Sequence, residues 1–361
     1  MQNAPDLETF MNPPFRIAFL GIDHPHGAGW RESLANFGDE IEITAILPGF
    51  GGGTTSLEER HAGVDRFDSI DELIARGEFD GAMICLPNNQ APEAAAKLAR
   101  AGKHVMVEKP AAGSAEDFRA VIDAVSKSKV AFQTGFMWRY DEGANRLKNM
   151  VADGRFGKII NVEMTSVTSD VKHRGPDHYL FDREISTAGY FSWLACHYLD
   201  LLLYVTGEQI VGVTARTGVF GTTPVEVEDG GVAILDMSGG GIAVFTGGYW
   251  LPRWTGEGHW TVRGSERWVH WHPGRKLEIH GPQPQFFAME ETLELPPDDT
   301  PGYAGSRGVD TIRDWVNAAR TGAHCCRNTP QSTQATLRLL DTIYRSSQEG
   351  RRIECEIGAG P

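Results

Sequence analysis

The first third of the chain alternates short apolar runs with segments whose apolar residues recur at helical spacing. Phe15 to Gly21 reads as a strand running into a glycine turn, and Gly27 to Asn36 as a helix after it. Ile41 to Leu47 is a second strand and Ser69 to Arg76 a short helix. Gly81 to Leu86 is a third strand, closed by Pro87-Asn88. Ala91 to Ala101 is an alanine-rich helix with Gly102 beyond its end as a C-cap. Val105 to Val107 follows as a strand. Ser114 is expected to open the next helix as its N-cap, with Glu116 and Asp117 in the first turn where negative charge suits the helix dipole. Val130 to Thr134 is a further strand. Apolar strands separated by helices of this length predict an α/β domain built on a parallel, doubly wound sheet.

After about Phe136 the texture changes. Asp141 to Asp153 reads as a helix, Lys158 to Thr168 as a long strand of period 2, and Gly189 to Val205 as a helix. Between Gln209 and Trp271 come Val211–Thr217, Gly231–Met237, Ile242–Tyr249, Trp260–Arg263 and Trp268–Trp271. Consecutive strands with short glycine-rich connections predict an antiparallel sheet. Gly308 to Thr321 and Gln331 to Gln348 close the chain as helices. The expected division is a disordered leader at 1–14, a first domain at 15–136 and a second at 137–361.

The composition narrows the function. The 361 residues carry a net charge of -14, which disfavours nucleic acid and anionic membrane as partners. No apolar run approaches the roughly 20 residues of a membrane span, and Met1 to Pro14 lacks the basic and apolar regions of a signal peptide. Five cysteines, odd in number and not in Cys-x-x-Cys spacing, predict reduced thiols and a cytoplasmic protein.

Chemistry concentrates in Gly102-Lys103-His104-Val105-Met106-Val107-Glu108-Lys109-Pro110. Glu108 and Lys109 stand at the carboxyl end of a buried strand, where open α/β sheets hold their ligands. A lysine there can hold a reacting oxygen or move a proton. The turn after the first strand, Gly21-Ile22-Asp23-His24-Pro25-His26-Gly27, keeps only the first glycine of a dinucleotide fingerprint. Asp23 replaces the second glycine, and His26 rather than Gly27 takes the third place. His24 and His26 have no third ligand nearby, so no metal is expected. The second strand ends Leu47-Pro48-Gly49 without a ribose-binding acid. The following glycine-rich loop with Arg60 instead offers free N–H groups for a 2′-phosphate, which leaves NAD or NADP open. On the helix from Gly189, Trp193, His197, Asp200 and Tyr204 share one face. Asp200 is expected to bond the imidazole or a nearby helix end.

These residues together resemble the glucose–fructose oxidoreductase/inositol dehydrogenase (Gfo/Idh/MocA) family, from Phe15 to about Thr217. The likeness rests on Ala101 to Pro110, on Phe136-Met137-Trp138-Arg139-Tyr140 with Gly154 to Ile159, and on His197-Tyr198-Leu199-Asp200 with Gly207. It implies a Rossmann domain and a second α/β domain whose open sheet often mediates oligomerisation, hence a homo-oligomer, dimer or tetramer. It also implies a nicotinamide cofactor and a carbohydrate or polyol substrate. Lys109 and His197 fall on catalytic positions, and Lys109–Pro110 is expected to be cis. Family members commonly carry an aspartate where this chain has Trp193, and a histidine after the Pro-Asn turn that is absent here.

The expected function is NAD(P)-dependent transfer of hydride between a secondary alcohol and nicotinamide. His197 would act as base, since an imidazole titrates near working pH, and Lys109 would stabilise the developing oxyanion. Gly21, Asp23, His24, His26, Pro87, Asn88, Glu108 and Lys109 are the candidate cofactor residues. Arg139, Tyr140, His178 and Trp193 are candidates for the substrate. Two alternatives remain: transient oxidation by bound NAD during elimination or glycoside cleavage, and a non-catalytic sensor of the same fold.

Overall fold

The computed structural model describes residues 13–24, 26–51, 63–282, 290–323 and 326–358. The expected leader at 1–14 lies almost wholly outside the described residues, as do 52–62 with Arg60. The first domain is built on six parallel strands: β1 (Phe15–Leu20), β2 (Ile41–Leu47), β3 (Asp65–Arg66), β4 (Gly81–Ile84), β5 (His104–Val107) and β6 (Phe132–Thr134). Their order is β3-β2-β1-β4-β5-β6, so the winding reverses between β1 and β4. That reversal opens a crevice at the strands' carboxyl ends.

Both faces of this sheet are covered, which is why its strands lack polar alternation. Ala18, Leu20, Ala82, Ile84, Val105 and Val107 face the core shared with α3 (Ala91–Arg100) and α4 (Arg119–Ser128), numbered after α1 (Gly27–Ala35) and α2 (Ile70–Arg76). Ile17, Phe19, Met83 and Met106 face the opposite way, toward Trp30 and Leu34 of α1. Helix α4 begins later than Ser114. The Ser114 hydroxyl does take the Asp117 N–H at 3.2 Å, but the next amide, Ala115 N–H, donates to Asp341 at 3.0 Å. That turn is tied to a distant helix and does not propagate.

The second sheet has nine strands: β7 (Ile159–Ser169), β8 (Ile210–Gly218), β9 (Gly230–Met237), β10 (Ile242–Leu251), β11 (Gly256–Gly264), β12 (Trp268–His272), β13 (Lys276–His280), β14 (Glu290–Glu294) and β15 (Ile353–Ile357). They lie in the order β14-β13-β12-β11-β7-β10-β9-β8-β15. The expected antiparallel sheet is in fact mixed, because β7 and β10 pair in parallel. A strand–helix–strand crossover from β7 to β8 returns the chain in its starting direction, and the β8–β9–β10 meander then lays β10 beside β7.

One face of this sheet, with Val162, Met164, Leu235, Phe245, Trp260 and Trp271, is buried. It packs under α5 (Glu142–Ala152), α6 (Cys196–Thr206) and α8 (Pro330–Glu349). The other face is open. Helix α7 (Ser306–Thr321) follows β14 of the second sheet in sequence but packs on the first sheet, with Trp315 edge-on to Phe15 at 5.4 Å. Among the described residues no helix is long and apolar enough to cross a membrane, and no His/Cys/Asp/Glu group could hold a metal.

Candidate active site

Strand β5 ends at Val107, so Glu108 and Lys109 emerge at the crevice mouth, and the Lys109–Pro110 peptide is cis. Both side chains are buried; Lys109 is only 1% exposed. The Glu108 carboxylate accepts the Trp30 indole N–H at 2.7 Å and lies 3.3 Å from His26 Nδ1 and 3.8 Å from Lys109 Nζ. Burial alone would raise its pKa, but the His26 hydrogen bond and the His26 and Lys109 charges together hold it at about 2. Glu108 is therefore ionised at any working pH.

The second domain reaches this point through the helix that carries His197. Its first turn, Phe191–Ala195, is a π-turn preceding α6. Such a turn shifts the carbonyl ladder by one residue and is frequent at functional sites. Here the Trp193 carbonyl accepts a hydrogen bond from Lys109 Nζ at 2.7 Å, and the Trp193 ring centroid lies 4.8 Å from the ammonium. His197, one turn on, is 5% exposed and edge-on to Phe136 at 6.0 Å. Burial first, and then the Lys109 charge, push its pKa well below the usual imidazole range. His197 Nδ1 and Trp193 Nε1 are buried without a hydrogen-bond partner. Orphaned polar atoms beside a buried ammonium are what a small polar ligand would satisfy.

The turn after β1 is tighter than its glycine count suggests. Gly21 has φ +68°, and a Cβ there would collide with the Cys85 carbonyl. Gly27 abuts the Ile22 carbonyl in the same way, so it supplies close turn-to-helix packing one residue later than a standard fingerprint. The Asp23 carboxylate accepts the N–H groups of Gly49 and Phe50, both at 2.7 Å. Those two amides are therefore committed to Asp23; the loop expected to take a 2′-phosphate, with Arg60, lies beyond Gly51 outside the described residues. Asp23 brings to this place the carboxylate that β2 lacks. Beside it Leu47, Gly49, Gly51, Asn89 and Glu93 line a cavity of about 450 Å³.

The other candidates fall in different places. His24 is in the crevice, where burial lowers its pKa to about 3. Its Nδ1 accepts the His26 N–H at 2.9 Å, so the ring proton is on Nε2, 3.2 Å from the Tyr179 hydroxyl. Asn88 donates to the Ser186 carbonyl at 2.8 Å and so ties β4's end to the second domain; Pro87 precedes it, with its carbonyl taken by Gln90 and Ala91.

Arg139 and Tyr140 belong to a buried network outside the crevice. Arg139 forks onto Asp200 at 2.7 and 2.8 Å, and Tyr140 donates to Asp314 at 2.5 Å. Asp200 accordingly bonds neither His197 nor a helix end; it takes Arg139 and the Thr336 hydroxyl. Satisfying a buried guanidinium outweighs both expected uses. His178 caps its own short turn and lines a separate cavity with Phe181 and Glu226. Sequence reasoning missed Trp30, Phe50, Tyr179 and Tyr303, the last stacked on His26 at 4.4 Å. Only the fold brings these scattered aromatics to one place.

Residues 15–136 match the family described as "Oxidoreductase family, NAD-binding Rossmann fold", and residues 144–270 match the "GFO/IDH/MocA C-terminal domain". The chain is 32% identical over 151 residues to an inositol 2-dehydrogenase of Rhizobium meliloti, covering 42% of this chain and 44% of that one. It is 27% identical over 242 residues to a myo-inositol 2-dehydrogenase of Thermotoga maritima, covering 65% and 64%. The match thus spans less than two thirds of either relative. Among solved structures, a levoglucosan dehydrogenase in complex with NADH superposes with a TM-score of 0.82 at 18% identity, over 94% of this chain and 99% of that one. A parallel Rossmann sheet, a second domain on a nine-stranded sheet and Glu108-Lys109-Pro110 at their junction agree with both family matches: the chain belongs to the Gfo/Idh/MocA family of oxidoreductases.

Proposed function

We propose that this chain is an NAD-dependent dehydrogenase acting on a secondary alcohol of a small sugar or cyclitol. The observation that carries the reading is the burial of Lys109 and His197 together at the mouth of the first sheet, with His197 Nδ1 left unpartnered. The residues fit a dinucleotide at its adenosine end, where Gly21 and Gly27 leave the turn no room for side chains and the 450 Å³ cavity adjoins β2. Asp23, Asp68 and Glu93 bring negative charge to that end, which favours a ribose hydroxyl over a 2′-phosphate and hence NAD over NADP.

A bound nicotinamide supplies the hydride acceptor. The chain's own residues do the rest. Lys109 holds the substrate oxygen and stabilises negative charge on it. His197, neutral in its buried setting, accepts the hydroxyl proton. Glu108 stays charged, held by Trp30 and His26, and faces the Lys109 ammonium at 3.8 Å. The dehydrogenase names of the relatives favour net oxidation over transient oxidation or a sensor role. The apolar residues on the open sheet face support a homo-oligomer.

A panel of hexoses, cyclitols and other polyols, assayed with NAD and with NADP for the absorbance of the reduced nicotinamide, tests the reading. Turnover is expected with NAD at least about tenfold above NADP. On the substrate found, Lys109→Ala should lower kcat/KM by about 10²- to 10⁴-fold. Unchanged turnover in that variant would remove the mechanism.

A further inference from the structure

Four rings from both domains meet in front of Lys109. His24 comes from the turn after β1 and Phe50 from the loop after β2; Tyr179 and Trp193 come from the second domain. His24 and Phe50 are 5.0 Å apart, Phe50 and Tyr179 5.3 Å, His24 and Tyr179 5.5 Å, all edge-on. Trp193 closes the set, 5.6 Å from Tyr179 and 6.2 Å from His24. Edge-to-face pairs in this range stabilise one another beyond their area burial.

A hydrogen-bond chain reinforces the packing. The His26 N–H fixes the proton of His24 on Nε2, which donates to the Tyr179 hydroxyl across the domain boundary. Behind the rings the Trp193 carbonyl takes the Lys109 ammonium. Phe50 stands between Gly49 and Gly51, which both line the cavity beside β2, so the ring cluster adjoins that cavity. Lys109 and His197 are buried, as are the His24 and Trp193 rings themselves.

We infer that His24, Phe50, Tyr179 and Trp193 form an interdomain latch over the nicotinamide end of the site, and that the cofactor's reactive half enters only after Phe50 and Tyr179 swing away. This inference rests on the dinucleotide reading above. The adenosine half docks first in the open cavity, and opening then limits the second stage. Weakening the latch should therefore speed entry. It should also tighten binding, because apparent affinity is reduced by the fraction of molecules that are closed.

Stopped-flow mixing of the full chain with NADH or with 5′-AMP, followed by tryptophan emission, tests this. With NADH the observed rate should saturate as concentration rises. AMP, which lacks the nicotinamide half, should bind without changing the emission, as titration calorimetry would confirm. Tyr179→Ala should raise the saturating rate by about tenfold and lower the Kd for NADH, leaving that for AMP unchanged. Tyr179→Phe, which keeps the ring but not the bond to His24, should give a smaller rise in the same direction and guards against misfolding of the alanine variant. A rate linear in NADH concentration, unaltered in both variants, would overturn the latch while leaving the dinucleotide reading intact. Absence of binding by NADH and AMP alike, in the parent and both variants, would overturn the dinucleotide reading and the latch with it.

Discussion

His24 is held by two hydrogen bonds, one of which requires the neutral imidazole: Nδ1 accepts a main-chain N–H, while Nε2–H donates to a tyrosine hydroxyl. Burial carries its pKa to about 3, whereas in the unfolded chain it takes a proton below about 6.5. Across that window the unfolded state binds the extra proton. The contribution of His24 is therefore complete above about pH 6.5 and is lost as the pH falls toward 3. One such proton corresponds to about 1.4 kcal/mol per pH unit. His197, also depressed by burial, acts in the same direction. Glu108, at about 2, adds a loss that sets in only below the ordinary carboxylate range. Urea unfolding should give a parent chain less stable at pH 5 than at pH 7, with His24 accounting for about 2 kcal/mol. His24→Asn, which retains an acceptor for the His26 N–H, should show a correspondingly shallower pH dependence. The same pH loss in both proteins would rule out this role for His24.

At the scale of single elements, the seat of α1 is tightly constrained. A Cβ on Gly27 would meet the Ile22 carbonyl, backbone against backbone, so the helix itself has to move. Gly27→Ala is expected to cost about 1–3 kcal/mol in thermal unfolding and to abolish NADH binding. Gly38→Ala tests the contrast. That glycine has φ +53° but open space around it, so the variant should lose about 1 kcal/mol and bind NADH normally. Equal binding by the two variants would mean that the turn is not a cradle.

This seat also marks how far the sequence can be read. The strand–helix alternation of the first domain and the position of Glu108 and Lys109 at a strand end were legible, because apolar runs and their punctuation are local signals. So was the start of α5, where Asp141 caps the Ala144 N–H. Asp23 was not, because its partners lie 26 and 27 residues on and meet it only once β1 and β2 pair. The same holds for Arg139 and Asp200, 61 residues apart. The π-turn at Trp193 has the same apolar pattern as an ordinary helical turn, so nothing local announces it. The parallel pairing of β7 with β10 depends on a crossover that strand patterns do not encode.

Among the described residues, the open face of the nine-stranded sheet carries a set of exposed apolar side chains. β9 presents Val232 and Ile234 to it, 38% and 42% exposed, and β10 sets Val244 opposite Ile234. Ile242 and Trp268 extend the apolar surface, with Trp268 stacked on His280 at 4.8 Å. Scattered exposed apolar residues are ordinary, but rows of them on one face of a sheet are typical of an interface. A flat face of this kind suits twofold pairing with a second copy, in which each residue meets its own symmetry neighbourhood. The net charge of -14 opposes such pairing. Raising the salt from about 0.01 M to about 0.1 M shortens the screening length from about 30 Å to about 10 Å, so association should strengthen with salt. Sedimentation across this range should therefore show a dimer or tetramer that is more stable at the higher salt. Ile234→Lys places like charges in the paired face and should yield a smaller species with unchanged far-ultraviolet circular dichroism. A parent chain that stays monomeric at micromolar concentration in both salts would show that this face does not pair two copies.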